Sequence, residues 1–214
     1  LEAFCSLGTH LFHLVDLPAA HTYLEQSLTL YNPDEHRSHA LSYGQDPGVV
    51  AAAYLAWTLW CLGYPTQALA QTQAALALAQ KVDHPYSLVI ATTYASVQYH
   101  FLNDVAHCRA HAEAAIALAT QYGFTLWLSM ATFLRGWALT VEGDFDNGFA
   151  DMQQSIDLFR STGAELGAAY FAALLAETFG RTGQADVGLL AMAGAFELLE
   201  RTQDRWCEAE MYRL

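Results

Sequence analysis

The side chains whose type and spacing come closest to chemistry are the paired histidines. His107 and His111 stand one helical turn apart, with Cys108 between them and His100 just upstream. Spacing i,i+4 on a helix puts both imidazoles on one face, as a zinc site requires. A zinc site needs a third ligand as well, and none follows at ligand spacing. Forty residues earlier and later the same positions hold Gln67 with Gln71 and Asn147 with Asp151, a polar outer stripe rather than a ligand set. His10 with His13 and His36 with His39 are weaker pairs, the second with Asp34 and Glu35 beside it. We expect no metal and no other cofactor. Catalytic fingerprints are missing too: the sequence holds no GxxxxGK[ST] phosphate loop, no G-x-S-x-G elbow and no HExxH. Enzyme activity is not expected from this chain.

A second constellation is aromatic. Trp57 and Trp60, then Val97 and His100, then Met130, Phe133 and Trp137, then Tyr170 and Glu177 recur at helical spacing. An inward face rich in Trp, Phe and Tyr with few charges suits an apolar peptide, a helix or a small ligand, because aromatics dominate binding hot spots. It equally suits packing between neighbouring elements, where aromatic stripes at this spacing commonly lie. The candidate groove residues are Trp57, Trp60, His100, Met130, Phe133, Trp137, Tyr170 and Glu177. Arg135 interrupts this apolar run at a position where Leu55 and Leu175 stand in sister segments. A charge at a packing position needs a partner, and the sequence names none.

What would position these residues is a repeat. Four turns share a shape: Gly63-Tyr64-Pro65-Thr66-Gln67-Ala68, Asn103-Asp104-Val105-Ala106-His107-Cys108, Gly143-Asp144-Phe145-Asp146-Asn147-Gly148 and Gly183-Gln184-Ala185-Asp186-Val187-Gly188. Each opens with Gly or Asn, which accept the left-handed conformation that ends a helix, and each closes on a small residue. The openings fall at 63, 103, 143 and 183, a period of 40. Ala75, Ala115, Ser155 and Ala195 keep the register as small residues, and Leu78, Leu118, Leu158 and Leu198 are identical. So do the small residues Ala56, Ser96, Gly136 and Ala176 and the large ones Leu59, Tyr99, Leu139 and Phe179. Small residues on two successive helices let the backbones approach while large ones fill the hollows. One such pair cannot bury its apolar faces alone, so pairs must stack.

An earlier copy of the turn, Val15-Asp16-Leu17-Pro18-Ala19-Ala20, precedes the second by 48 residues rather than 40. The surplus falls in 32–47, rich in turn formers, and reads as an elaborated inter-repeat loop. The periodicity predicts helices over 2–14 and 17–31, 48–62 and 65–81, 86–102 and 104–121, 125–142 and 145–161, 165–182 and 185–201, with a last one starting near 205. The expected architecture is all-α: a right-handed solenoid of about five antiparallel pairs forming one domain over 1–214.

Composition narrows the function. Hydrophobic residues make up 54% and charged residues 14%, which excludes intrinsic disorder. No run approaches the ~18 apolar residues of a membrane span. The net charge of −13, with Lys81 as the single lysine, opposes binding to a polyanion, so no nucleic acid partner is expected. Cys5, Cys61, Cys108 and Cys207 form no CxxC pair and fit reduced thiols in the cytoplasm. The chain starts without methionine and stops inside a helical pattern, and we expect it to be part of a larger protein.

Gly143-Asp144-Phe145, followed by small residues at Gly148 and Ser155, resembles the tetratricopeptide repeat, although these copies are longer than the usual ~34 residues. In stacks of that kind the first helix of each pair lines a concave groove, and the aromatic stripe above falls there. Further blocks resemble the C-terminal helical region of large bacterial regulators that carry an ATPase module and often a nucleotide cyclase module. They are Tyr43-Gly44-Gln45-Asp46-Pro47-Gly48, Leu55-Ala56-Trp57, Leu62-Gly63-Tyr64-Pro65, Gly136-Trp137-Ala138-Leu139 and Arg205-Trp206-Cys207-Glu208-Ala209-Glu210. That resemblance implies a non-catalytic scaffold of a signalling protein, binding a protein, a peptide or another domain of its own chain. The alternative it implies is a small-molecule sensor controlling an upstream ATPase or cyclase. An open groove would favour the first and an enclosed cavity of roughly 300–1,000 Å³ the second.

Overall fold

The computed structural model describes the backbone of residues 1–214 and every side chain except that of Arg37. Helices run in antiparallel pairs: α1 (Glu2–His13) with α2 (Leu17–Leu30), α4 (Pro47–Cys61) with α5 (Pro65–Val82), and α6 (Pro85–Phe101) with α7 (Val105–Tyr122). Then come α8 (Thr125–Glu142) with α9 (Phe145–Ser161) and α10 (Ala168–Arg181) with α11 (Ala185–Thr202). Helix α3 (Pro33–Tyr43) lies between the first two pairs, and a single 3-10 turn (Arg205–Cys207) leads into the short α12 (Glu208–Arg213). The described residues contain no strand.

The turns close as the repeat predicts. Gly63, Asn103, Gly143 and Gly183 all have positive φ, between 54° and 95°. Beyond each, one backbone N–H reaches back to the same register position. Tyr64, Asp104, Asp144 and Gln184 donate to the carbonyls of Leu59, Tyr99, Leu139 and Phe179, each at 2.9 Å. In the first pair Asp16 donates to Leu11 at 3.0 Å, and Val15 takes the left-handed position at φ 64°. A β-branched residue there is strained, which marks this turn as the imperfect copy. Asp104 and Asp144 then cap the next helices by accepting from the N–H groups of His107 and Asn147.

The sequence predicts an elaborated inter-repeat loop over 32–47, and most of it is α3 instead. Asn32 caps the helix by accepting from the Asp34 N–H, Pro33 pre-sets the first turn, and Asp34 and Glu35 sit in it, where the helix dipole favours acids. Gly44 ends it at φ 78°. The turn formers are real, but they punctuate a helix whose exposed polar surface hides its period; Ala40 is buried.

The small columns do bring helices together. A Cβ placed on Gly136 of α8 would lie 2.7 Å from the Gly148 carbonyl oxygen of α9, and one on Gly148 would lie 2.7 Å from the Gly136 carbonyl oxygen. Ala75, Ala115, Ser155 and Ala195 are all buried. The main core runs between the two helices of each pair through α1, α2 and α4 to α8, and a second gathers Phe133, Met152, Phe171 and Leu199 around α8 to α11.

The stack curves so far that its ends meet. Asp204, 1% exposed, accepts from the Gly167 N–H at 2.7 Å and pairs with His13 of α1, its Oδ1 lying 2.7 Å from Nδ1. Trp206 then seats among aromatics of α1, α4, α6 and α10: its ring centre lies 5.7 Å from Phe12, 6.1 Å from Trp57, 5.9 Å from Phe101 and 4.8 Å from Tyr170.

Candidate ligand and partner clefts

The concave side is therefore not one open channel. Trp206 stands in its middle, with a cavity on either side. The larger, about 1,000 Å³, is lined by Trp60, His100, Trp137, Tyr170 and Glu177 among others, with Arg181, Glu210 and Arg213 also in its wall. The smaller, about 470 Å³, is bounded by Tyr54, Trp57, Tyr94, Trp127, Met130 and Tyr170.

First helices carry all eight sequence candidates, and the structure divides them. Five line the larger cleft. Trp60 stacks on Phe101, with planes 15° apart. His100 meets the Trp137 ring edge-on at 4.2 Å and shares a hydrogen bond of 2.6 Å between Nε2 and the Tyr170 hydroxyl. Glu177 forms an i,i+4 pair with Arg181 at 2.6 Å. Burial, helped by the Arg181 charge, lowers the His100 imidazole to about 3, so the ring is neutral at ordinary pH. Its Nδ1 is buried with no partner among the described residues.

Trp57 and Met130 face the smaller cavity instead. Trp57 is 5% exposed and its indole N–H donates to the Tyr94 carbonyl at 3.2 Å. Phe133 lines neither cavity: fully buried, it packs on Phe171 with ring centres 4.6 Å apart. Three residues beyond Met130 and four before Trp137, it faces α10 rather than the concave side. Trp137 lines the cleft yet is only 3% exposed, so packing and groove readings both apply to it.

Arg135 has its partner. It binds Asp151 of α9 through two hydrogen bonds, Nε to Oδ2 at 2.6 Å and Nη2 to Oδ1 at 2.8 Å. One repeat later the same two positions are Leu175 and Ala191, an apolar pair.

The histidine pairs have other engagements. His107 shares a 2.8 Å hydrogen bond with Asp104, and both His107 and His111 lie against the ring of Tyr99. His39 meets Glu2, and His36 accepts from the Asn32 N–H. Among the described residues no group of three His, Cys, Asp or Glu side chains is placed to hold a metal. All four cysteines are free. Burial pushes the thiols of Cys5, Cys108 and Cys207 up to about 12 and that of Cys61 to about 11, which denies them thiolate reactivity near neutral pH.

Sequence reasoning named His13 only as half of a weak histidine pair and Trp206 only within a resemblance block, and it missed Asp204 and the wall formed by Tyr54, Tyr94 and Trp127. Tyr54 and Tyr94 did carry a signal, since they stand 40 residues apart in one column.

With this geometry in view, comparisons with known proteins settle the architecture. No protein-family model matches the chain, and no curated protein matches its sequence. Solved structures do resemble it. A Rap protein complexed with Competence and Sporulation Factor superimposes with a TM-score of 0.68 at 18% identity, covering 99% of this chain and 59% of that one. The apo form of RapI gives 0.64 at 9% identity, over 97% of this chain and 73% of the other. A thermophilic TPR protein of Thermus thermophilus gives 0.60 at 19% identity and covers 99% and 98% of the two chains. The fold is a tetratricopeptide-like helical solenoid. At these identities the likeness is one of fold, and this chain spans little more than half of the liganded Rap chain.

Proposed function

We infer that the chain is a non-catalytic binding scaffold that holds an apolar or basic segment of a protein or peptide in the larger cleft. The observation that carries this is the convergence there of Trp60, His100, Trp137, Tyr170 and Glu177, four aromatic or imidazole rings and one carboxylate, around about 1,000 Å³. The cleft is partly open to solvent rather than enclosed, so several side chains of a partner can enter it, and aromatic anchors are what partner hot spots use. The rim charges pair among themselves, Glu177 with Arg181 and Glu210 with Arg213. The overall charge of −13 then favours basic over acidic partners. A Rap protein, similar in fold, is solved as a complex with Competence and Sporulation Factor, which supports a ligand-binding role for such a stack. The resemblance of the sequence blocks to bacterial regulators supports placing the scaffold in a cytoplasmic signalling protein, its partner being another protein or a neighbouring domain.

The deciding variants are Trp60→Ala and Trp137→Ala. Trp60 is only half-buried, so its loss should leave the fold intact and weaken partner capture by ~2 kcal/mol or more, about thirtyfold. Trp137 is buried and its truncation should also cost ~3–5 kcal/mol of stability. If folded Trp60→Ala protein retains every partner with unchanged affinity, the cleft is not the binding surface.

A further inference from the structure

The smaller cavity holds a different site. We propose that it binds a compact organic cation, a quaternary ammonium head carrying a hydrogen-bond acceptor a few ångströms away. This goes beyond the partner-binding reading and does not depend on it.

The walls are rings set at steep angles to one another. Tyr54 meets Tyr94 at 84° with centres 5.4 Å apart, Tyr94 meets Trp127 at 69° and 5.5 Å, and Tyr86 meets Trp127 at 77° and 6.0 Å. Trp57 packs on Tyr94 at 4.2 Å, and Trp206 closes the side toward the larger cleft. Rings arranged this way wall a space from several directions, so a cation inside lies within about 6 Å of more than one ring, the range in which the aromatic quadrupole attracts it. The volume, about 470 Å³, is that of a small-molecule site.

Charge selects the sign of the ligand. Among the described residues no lysine or arginine lines this cavity. Glu165 stands in its wall, paired outward with Arg201 at 3.0 Å, and Asp204 lies behind His13 and Gly167. His13, the one basic side chain there, is held between Asp204 and the Tyr54 hydroxyl, 3.1 Å from Nε2. An anion would find no lysine or arginine in the wall, whereas a cation would lie among aromatic rings.

One polar group lacks a partner. Trp127 is 6% exposed, and its indole N–H finds no acceptor among the described residues. Leaving a buried donor unsatisfied is costly, and an oxygen on the ligand would relieve it. The Tyr54 and Tyr94 hydroxyls, by contrast, already bond to each other at 3.2 Å.

The test compares choline with its uncharged isostere, in which carbon replaces nitrogen, by calorimetry and tryptophan fluorescence on the whole chain. Both probes carry the same hydroxyl, so their difference isolates the charge. We expect saturable choline binding that is about tenfold or more tighter than that of the isostere. Tyr86→Leu, at a half-buried position that should tolerate it, and Trp127→Leu should each abolish that preference, while Trp60→Ala in the other cleft should preserve it. If Trp127→Leu fails to fold, Tyr86→Leu carries the comparison. Absence of saturable choline binding, equal affinity for the isostere, or unchanged preference in folded Tyr86→Leu protein would each overturn the assignment.

Discussion

His13 and Asp204 stand 191 residues apart in the sequence and 2.7 Å apart in the structure. The contact joins the first helix of the stack to the segment after the last full pair and places Trp206 against Phe12. It also explains why α10 begins at Ala168, three residues later than its periodicity suggests. Gly163 and Gly167, at φ 73° and 83°, turn the chain so that the Gly167 N–H can reach Asp204.

Removing that carboxylate should open the ring. Asp204→Ala strands two half-buried partners, His13 and the Gly167 N–H, and should cost about 1–3 kcal/mol in urea denaturation. Asp204→Asn, which keeps an acceptor, should cost less. Trp206 would become more exposed in the alanine variant, and a red shift of tryptophan emission should accompany the loss. An unchanged midpoint and spectrum would show that the closure carries no stability.

Arg135 and Asp151 offer a cycle that the repeat itself suggests. Asp151→Ala leaves a half-buried guanidinium without its bidentate partner and should cost about 1–3 kcal/mol. Arg135→Leu with Asp151→Ala reproduces the pair found one repeat later, Leu175 and Ala191, and should recover much of that loss. Double-mutant-cycle measurements would reject the pairing if the two changes simply add.

Acid should act through His100. Its folded value, about 3, lies below the unfolded value near 6.5, so between those limits the unfolded chain binds the extra proton. Stability contributed by the neutral ring is complete above about pH 6.5 and declines as pH falls toward 3. At pH 4.5 the loss should be roughly 2 kcal/mol relative to pH 7. His100→Gln removes the titrating group, and its melting temperature should fall less over this range than that of the wild type. Parallel pH profiles would defeat the prediction.

Gly136→Ala has a sign that helix propensity gets wrong. In an exposed helix interior the change gains about 0.5–1 kcal/mol. Here the new methyl group would meet the Gly148 carbonyl oxygen at 2.7 Å, in backbone that cannot swing aside. The expected outcome is destabilisation by about 1–3 kcal/mol in chemical denaturation. A neutral or stabilised variant would falsify the close approach of α8 and α9.

Much of this molecule was legible in its columns. The turns at 63, 103, 143 and 183 and the pairing of helices follow from residues that act over a turn or two, repeated at a fixed interval. Helix α3 escaped because a mostly polar surface helix has no apolar period to display, only the caps that resemble a loop. Within the groove, Trp60, His100, Trp137, Tyr170 and Glu177 come together, while Phe133, on the same stripe, turns into the core.

The sequence by itself determined what is local: which segments are helical, where each ends, and which small and large positions let neighbours stack. Tertiary structure alone decided how the ends of the stack relate. Curvature is the sum of small rotations between successive pairs, and no single repeat encodes that sum. Only when five pairs have accumulated it does Asp204 reach His13, and only then does Trp206 divide one concave face into two cavities.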